Sequence, residues 1–126
     1  MANILVVDDH PTSRKFLVTL LGYMGHRLVE ASDGSEALEL VRRDRPDLAI
    51  VDVVMPNMNG YEFASQVPSE PNLAATPIIL HSAVYREHEV QPLAIACGVP
   101  YVLSMPAEPD KILRIVSEVL GADKAQ

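Results

Sequence analysis

The sequence predicts a single α/β domain in which five short strands alternate with five helices, a (βα)5 order built on a parallel sheet. Three observations predict it. Short apolar runs recur along the chain with helix-period segments between them, the pattern of strands buried on both faces. A length of 126 residues suffices for one hydrophobic core and leaves no room for a second domain. Hydrophobic residues make up 48% and charged residues 21%, which sets the chain apart from disordered tails and disulfide scaffolds.

The first apolar run, residues 4–7, ends in Asp8-Asp9. Pro11 follows where a helix would begin, since its fixed φ suits the first helical turn. Phe16, Leu17, Leu20, Leu21 and Met24 then recur at helical spacing up to Gly25, so the first helix is predicted over 12–23. The second strand is read at 27–31. Asp33 with Glu36 three residues on forms a capping-box pattern for a second helix that ends near Arg43, before the Arg45-Pro46-Asp47 turn. The third strand, 48–51, is wholly apolar and stops at Asp52. Pro68 is expected to end the third helix after Val67. Pro92 falls inside the fourth, beyond a strand at 77–80, where it removes a hydrogen bond and favours a kink. A fifth strand at 101–103 precedes the clearest helix. There Ile112, Ile115, Val116, Val119 and Leu120 fall on one face, with Pro109-Asp110 at the start and Gly121 at the end. The domain is accordingly expected over residues 1–122, with 123–126 a tail or a truncated linker to further domains.

Acids outnumber Lys and Arg by 17 to 10, giving a net charge of −7, so the chain lacks the basic face of a nucleic-acid binder. The lone Cys97 cannot form an internal disulfide and reads as a core residue. The N-terminus lacks a signal peptide's pattern and no apolar run approaches the roughly 18 residues of a membrane helix. A cytoplasmic protein without membrane partners is the expectation.

Function should lie at the carboxyl ends of the strands, where open parallel sheets gather their chemistry. Asp8 and Asp9 end the first strand, Asp52 the third, and Ser82 the fourth. Three converging carboxylates repel one another and, when buried, resist ionisation unless a cation compensates. Mg²⁺, a hard ion that takes oxygen ligands, is the natural choice. Asp8-Asp9 could merely cap the first helix, but a cap leaves Asp52 and Ser82 unexplained. His10 suggests a transition metal instead, yet no second His is placed to complete a cluster, and His81 is expected to point away from Ser82 by strand alternation.

VVDDHP, VDVVMPNMNG, the Ser82-Ala83 pair and the stretch from Tyr101 to Pro106 together resemble the receiver domains of bacterial two-component response regulators. The resemblance covers about residues 3–121. It implies a flavodoxin-like three-layer sandwich with sheet order 2-1-3-4-5. It also implies that Asp52 takes a phosphoryl group from a phosphohistidine, and that Asp9, Asp52 and the main-chain carbonyl of Val54 bind Mg²⁺, with Asp8 acting through metal-bound water. Ser82 would bond the new phosphoryl group and Ala83 leave room for it. Such a protein is a signalling switch with weak self-catalysis rather than an enzyme. Its implied partners are a histidine kinase or phosphotransfer protein, and an output domain or protein reached through the helix 4–strand 5–helix 5 face; a homodimer is compatible.

Two positions depart from that family. The usual Lys-Pro pair after the fifth strand is Met105-Pro106 here, and the usual aromatic switch falls on Val102, with Tyr101 one place out of phase. A thioether is at most a weak acceptor and cannot replace an ammonium. Arg86, four residues past Ser82, is read as a solvated helix-start residue, and Met55, Met58 and Met105 are given no catalytic role. Met105 supports a rival reading, a pseudo-receiver that acts as a phosphorylation-independent interaction module. A flavodoxin-like cofactor protein suits the fold, but DDHPTSR is too acidic for a phosphate loop.

Overall fold

The computed structural model describes residues 2–55, 57–67, 76–99 and 101–124. Five strands, β1 (Asn3–Val7), β2 (Arg27–Ala31), β3 (Leu48–Asp52), β4 (Ile78–Ser82) and β5 (Tyr101–Ser104), alternate with helices α1 (Pro11–Tyr23), α2 (Gly34–Asp44), α3 (Gly60–Gln66), α4 (Glu87–Ala96) and α5 (Pro109–Lys124). All strand pairs are parallel, in the order β2-β1-β3-β4-β5. Two cores result. Strand side chains of one parity, Leu5, Val7, Val51 and Leu80, pack with Val41 of α2, Phe63 of α3 and Val90 of α4. The other parity, Ile4, Val6, Ile50 and Ile79, packs with Leu17 and Leu21 of α1 and Ile112 and Val116 of α5. The uninterrupted apolar runs in the sequence have this cause, since both faces of the sheet are covered.

Local signals set most element ends. Pro11 is the first residue of α1, and Asp33 caps α2 by accepting the Glu36 N–H at 2.8 Å. The second half of that expected box differs: the Glu36 carboxylate accepts from Ser32 N–H at 3.1 Å. A full capping box, not read from the sequence, starts α3, where Asn59 and Glu62 exchange side chain-to-backbone bonds. α3 ends at Gln66 with Val67 as its C-cap, one residue short of the end read from the sequence; Pro68 lies outside the described residues. α4 runs through Pro92. α5 continues past Gly121 to Lys124, beyond the end read from the sequence, because Gly121 does not take up the left-handed conformation that ends a helix. No helix among the described residues is long and apolar enough to cross a membrane.

One glycine ties the fold to the strand ends that matter below. A Cβ on Gly60 would collide with the Asp52 carbonyl oxygen and lie 3.0 Å from Val53 Cα. Both are backbone, so neither can yield without moving the end of β3. Gly60→Ala is expected to cost about 1–3 kcal/mol, the range for overpacking. Urea unfolding would show a lower midpoint at unchanged slope.

Candidate functional site

Parallel register brings the strand ends together. Val7 lies opposite Val51, Asp52 opposite His81, and Ser82 opposite Ser104. Asp8 and Asp9 follow β1 directly, and Asp52 is the last residue of β3. Asp8 and Asp52 open onto a cleft of about 290 Å³ whose walls also include His10, Val54, His81 and Met105. Asp8 is 1% exposed and Asp52 6%.

The carboxylates are held by short local bonds. Asp8 Oδ1 accepts the His10 backbone N–H at 2.8 Å, and Asp52 Oδ1 accepts the Val54 N–H at 3.2 Å. Arg14, on the first turn of α1, donates from Nη1 to the Asp8 carbonyl at 2.7 Å and from Nε to Glu30 at 2.9 Å. Burial pushes the Asp52 carboxyl up to about 7, opposed by the Val54 N–H and reinforced by Asp8 and Asp9. A carboxyl that resists ionisation this strongly is in a site short of positive charge. Asp8, Asp9, His10 and Asp52 each offer a ligand atom within 4.8 Å of the others, and Asp9 Oδ1 is buried with no hydrogen-bond partner. The residues therefore fit a divalent cation.

Ser82 is fully buried, and its Oγ accepts the N–H groups of Val84 at 3.1 Å and Tyr85 at 2.9 Å. The hydroxyl thus pins the turn that leads into α4. Ala83 lines the cleft beside it. Met105 reaches the same cleft while its N–H donates to the Ser82 carbonyl at 2.8 Å, and the Met105-Pro106 peptide bond is cis. Val102 is buried in the core under α2 to α4, whereas Tyr101 packs on the opposite core with α1 and α5. The Tyr101 ring cannot stand in for an aromatic on the Ser82 side.

The structure adds to one sequence expectation about cationic groups and agrees with the other. His81 does point away from Ser82, but that same alternation aims it at the carboxylates. Its Nε2 lies 3.8 Å from Asp8 Oδ2, in a side chain almost wholly buried. Burial lowers its pKa to about 4, against the attraction of Asp8 and a hydrogen bond to the Val7 backbone. A second His therefore stands beside the acidic cluster, though outside the four residues whose ligand atoms converge. Arg86 is the N-cap of α4, exposed, with its N–H donating to Glu89 Oε1 at 2.9 Å, and is absent from the cleft walls. Among the described residues, neither Lys nor Arg lines the cleft.

The model of the response regulator receiver domain family matches residues 4–117. The chain belongs to that family. This receiver is 30% identical over 121 residues to protein PilH of Pseudomonas aeruginosa, covering 96% of this chain and 99% of that protein. Among solved structures it superposes on the chemotaxis response regulator CheY4 of Vibrio cholerae with a TM-score of 0.86 at 31% identity, covering 94% of this chain and 98% of that one. The signal receiver domain of a histidine kinase from Syntrophus aciditrophicus matches with a TM-score of 0.87 at 29% identity, covering 97% and 92%. The receiver fold and sheet order expected from the motifs are those observed.

Proposed function

We propose that this receiver takes a phosphoryl group onto Asp52 from the phosphohistidine of a histidine kinase or phosphotransfer protein. It then passes its state to an output domain or protein through the face formed by α4, β5 and α5. The observation that carries the reading is Asp52 itself, a nearly buried carboxylate at a strand end, set among Asp8 and Asp9. Structural roles do not require three acids to converge at such a cost.

In the transfer, the bond from phosphorus to the donor imidazole nitrogen breaks as a bond to an Asp52 oxygen forms, which leaves an acyl phosphate on the receiver. Positioning and charge neutralisation do most of the work in phosphoryl transfer. Asp9, Asp52 and the Val54 carbonyl would hold Mg²⁺, with Asp8 acting through water; when bound, the ion neutralises carboxylate and phosphoryl charge. The Val54 N–H orients the Asp52 carboxylate. Ala83 leaves the approach open. For Ser82 to bond a phosphoryl oxygen, its hydroxyl must leave the N–H groups of Val84 and Tyr85, which loosens the turn before α4. Chemistry at Asp52 thus couples to the surface that a partner reads.

Incubation with acetyl phosphate and Mg²⁺ is expected to add the mass of one phosphate to the intact protein, sensitive to hydroxylamine and missing in Asp52→Asn. A folded wild type that takes up no phosphate under saturating donor would overturn the proposal. The phosphorylation-independent interaction module, which Met105 favours, would then replace it.

A further inference from the structure

His10 is the first observation that the phosphoacceptor reading leaves unused. Its ring is 65% exposed, makes no helix-capping bond, and turns Nδ1 toward the acids. Nδ1 lies 3.1 Å from Asp9 Oδ1, 3.5 Å from Asp8 Oδ1 and 3.9 Å from Asp52 Oδ2. Ligands bonded tetrahedrally at about 2.0–2.1 Å stand about 3.3–3.4 Å apart. The three separations bracket that edge, and the four ligand atoms all lie within 4.8 Å of one another, so side-chain rotations would close the set around one ion.

His81 supplies an independent pointer. It is 98% buried, being 2% exposed, and its Nε2 has no hydrogen-bond partner. The ring hydrogen-bonds the Val7 backbone. Its unpartnered Nε2 points at Asp8 Oδ2, 3.8 Å away. A polar atom this deeply buried without a partner calls for a ligand close by. An imidazole anchored through its other nitrogen to a carbonyl is also the arrangement in which proteins present histidine to metals.

We propose that this pocket is a mixed His/Asp site in which His10 Nδ1 joins Asp8, Asp9 and Asp52 as a direct ligand and holds a nitrogen-preferring divalent ion, Zn²⁺ in particular, far more tightly than Mg²⁺. The inference rests on the acidic pocket of the phosphoacceptor reading but assigns it a second occupant. Carboxylates alone favour Zn²⁺ somewhat, and imidazole adds a donor that suits Zn²⁺ and contributes little to Mg²⁺. Because Asp52 is in the set, bound Zn²⁺ competes with phosphoryl uptake.

The test is calorimetric titration of the whole chain and of His10→Ala with Zn²⁺ and with Mg²⁺. The ring is exposed and caps nothing, so the variant keeps the fold. Loss of one nitrogen ligand should weaken Zn²⁺ by about tenfold or more while Mg²⁺ changes by less than about twofold. The His10 Nδ1 resonance should move in the imidazole ¹⁵N spectrum when Zn²⁺ is added. Equal weakening of both metals, unchanged Zn²⁺ affinity, or an unmoved resonance would each overturn the inference. Acetyl phosphate uptake on the same samples separates the two readings. A His10→Ala protein that takes phosphate and keeps the wild-type Zn²⁺ affinity defeats this inference alone. A wild type that binds Zn²⁺ through His10 but takes no phosphate supports this inference and defeats only the phosphoacceptor reading.

Discussion

In a chelator at pH 8, Asp52→Asn should be more stable than wild type by on the order of 2 kcal/mol, after allowance for solvent screening at the cleft mouth. The folded protein raises the Asp52 carboxyl to about 7 from an ordinary 3.8, chiefly through burial. The sign follows from proton counting. Between roughly pH 4 and 7 the folded state holds a proton there that the unfolded chain has lost, so wild-type stability falls as pH rises through that window and levels off above it. Asparagine carries no charge at any of these pH values and can still accept the Val54 N–H that bonds Asp52 Oδ1 at 3.2 Å. Its advantage should therefore be full above pH 7, shrink as pH falls through 7, and be nearly gone by pH 4. Thermal midpoints across that range would measure it. Saturating Mg²⁺ should narrow the gap, because a cation held by the carboxylates stabilises wild type more than the variant. A gap that is independent of pH would mean that Asp52 ionises normally and that the acidic cluster is not under charge strain.

The same residues show what the sequence could and could not disclose. The strand order and the acidic edge were legible because they depend on short-range facts: apolar runs, their ends, and the rule that chemistry sits at the carboxyl ends of parallel strands. The ends of β3 and β4 fell one or two residues late, at Asp52 and Ser82, since a polar residue closing a buried strand breaks the apolar pattern without breaking the backbone ladder. The placement of His81 was missed although its signal was present. Alternation alone turns His81 away from its neighbour Ser82, whereas the register that sets His81 beside Asp52 needs the pairing of two strands. Arg14 had no local signal at all. Its bond to the Asp8 carbonyl depends on how α1 packs over the end of β1. Ser82 was legible as a site residue but not as a turn anchor, because the N–H groups it accepts belong to a loop whose path the sequence does not state.

Met105→Lys should enlarge the phosphate-driven shift by roughly ten- to a hundredfold in equilibrium constant, the second large effect expected of this receiver. Met105 lines the cleft with Asp8 and Asp52, anchored by its N–H on the Ser82 carbonyl, so a longer cationic side chain at that position starts beside the carboxylates. Among the described residues, no Lys or Arg lines the cleft to do this in wild type. The switch must pay for releasing Ser82 Oγ from the N–H groups of Val84 and Tyr85, and without an ammonium the phosphoryl group has fewer partners to offset that loss. A hydrogen bond to a charged group contributes about 1.5–3 kcal/mol net, and each 1.4 kcal/mol is about tenfold. Making the phosphate is a separate matter. Transfer needs Asp52, a cation and an in-line donor, none of which Met105 replaces, so uptake should proceed in both proteins. Chemical-shift changes on adding beryllofluoride, a phosphoryl mimic, would read the shift at Ser82 and along α4, β5 and α5. They should be larger in Met105→Lys, whose added ammonium should also weaken Mg²⁺ binding only modestly. A wild type that already shifts as far as the variant would mean that another group meets the phosphoryl oxygens. His81, buried at the cleft wall with Nε2 unpartnered, is then the residue to replace next, since Arg86 stands away on the N-cap of α4.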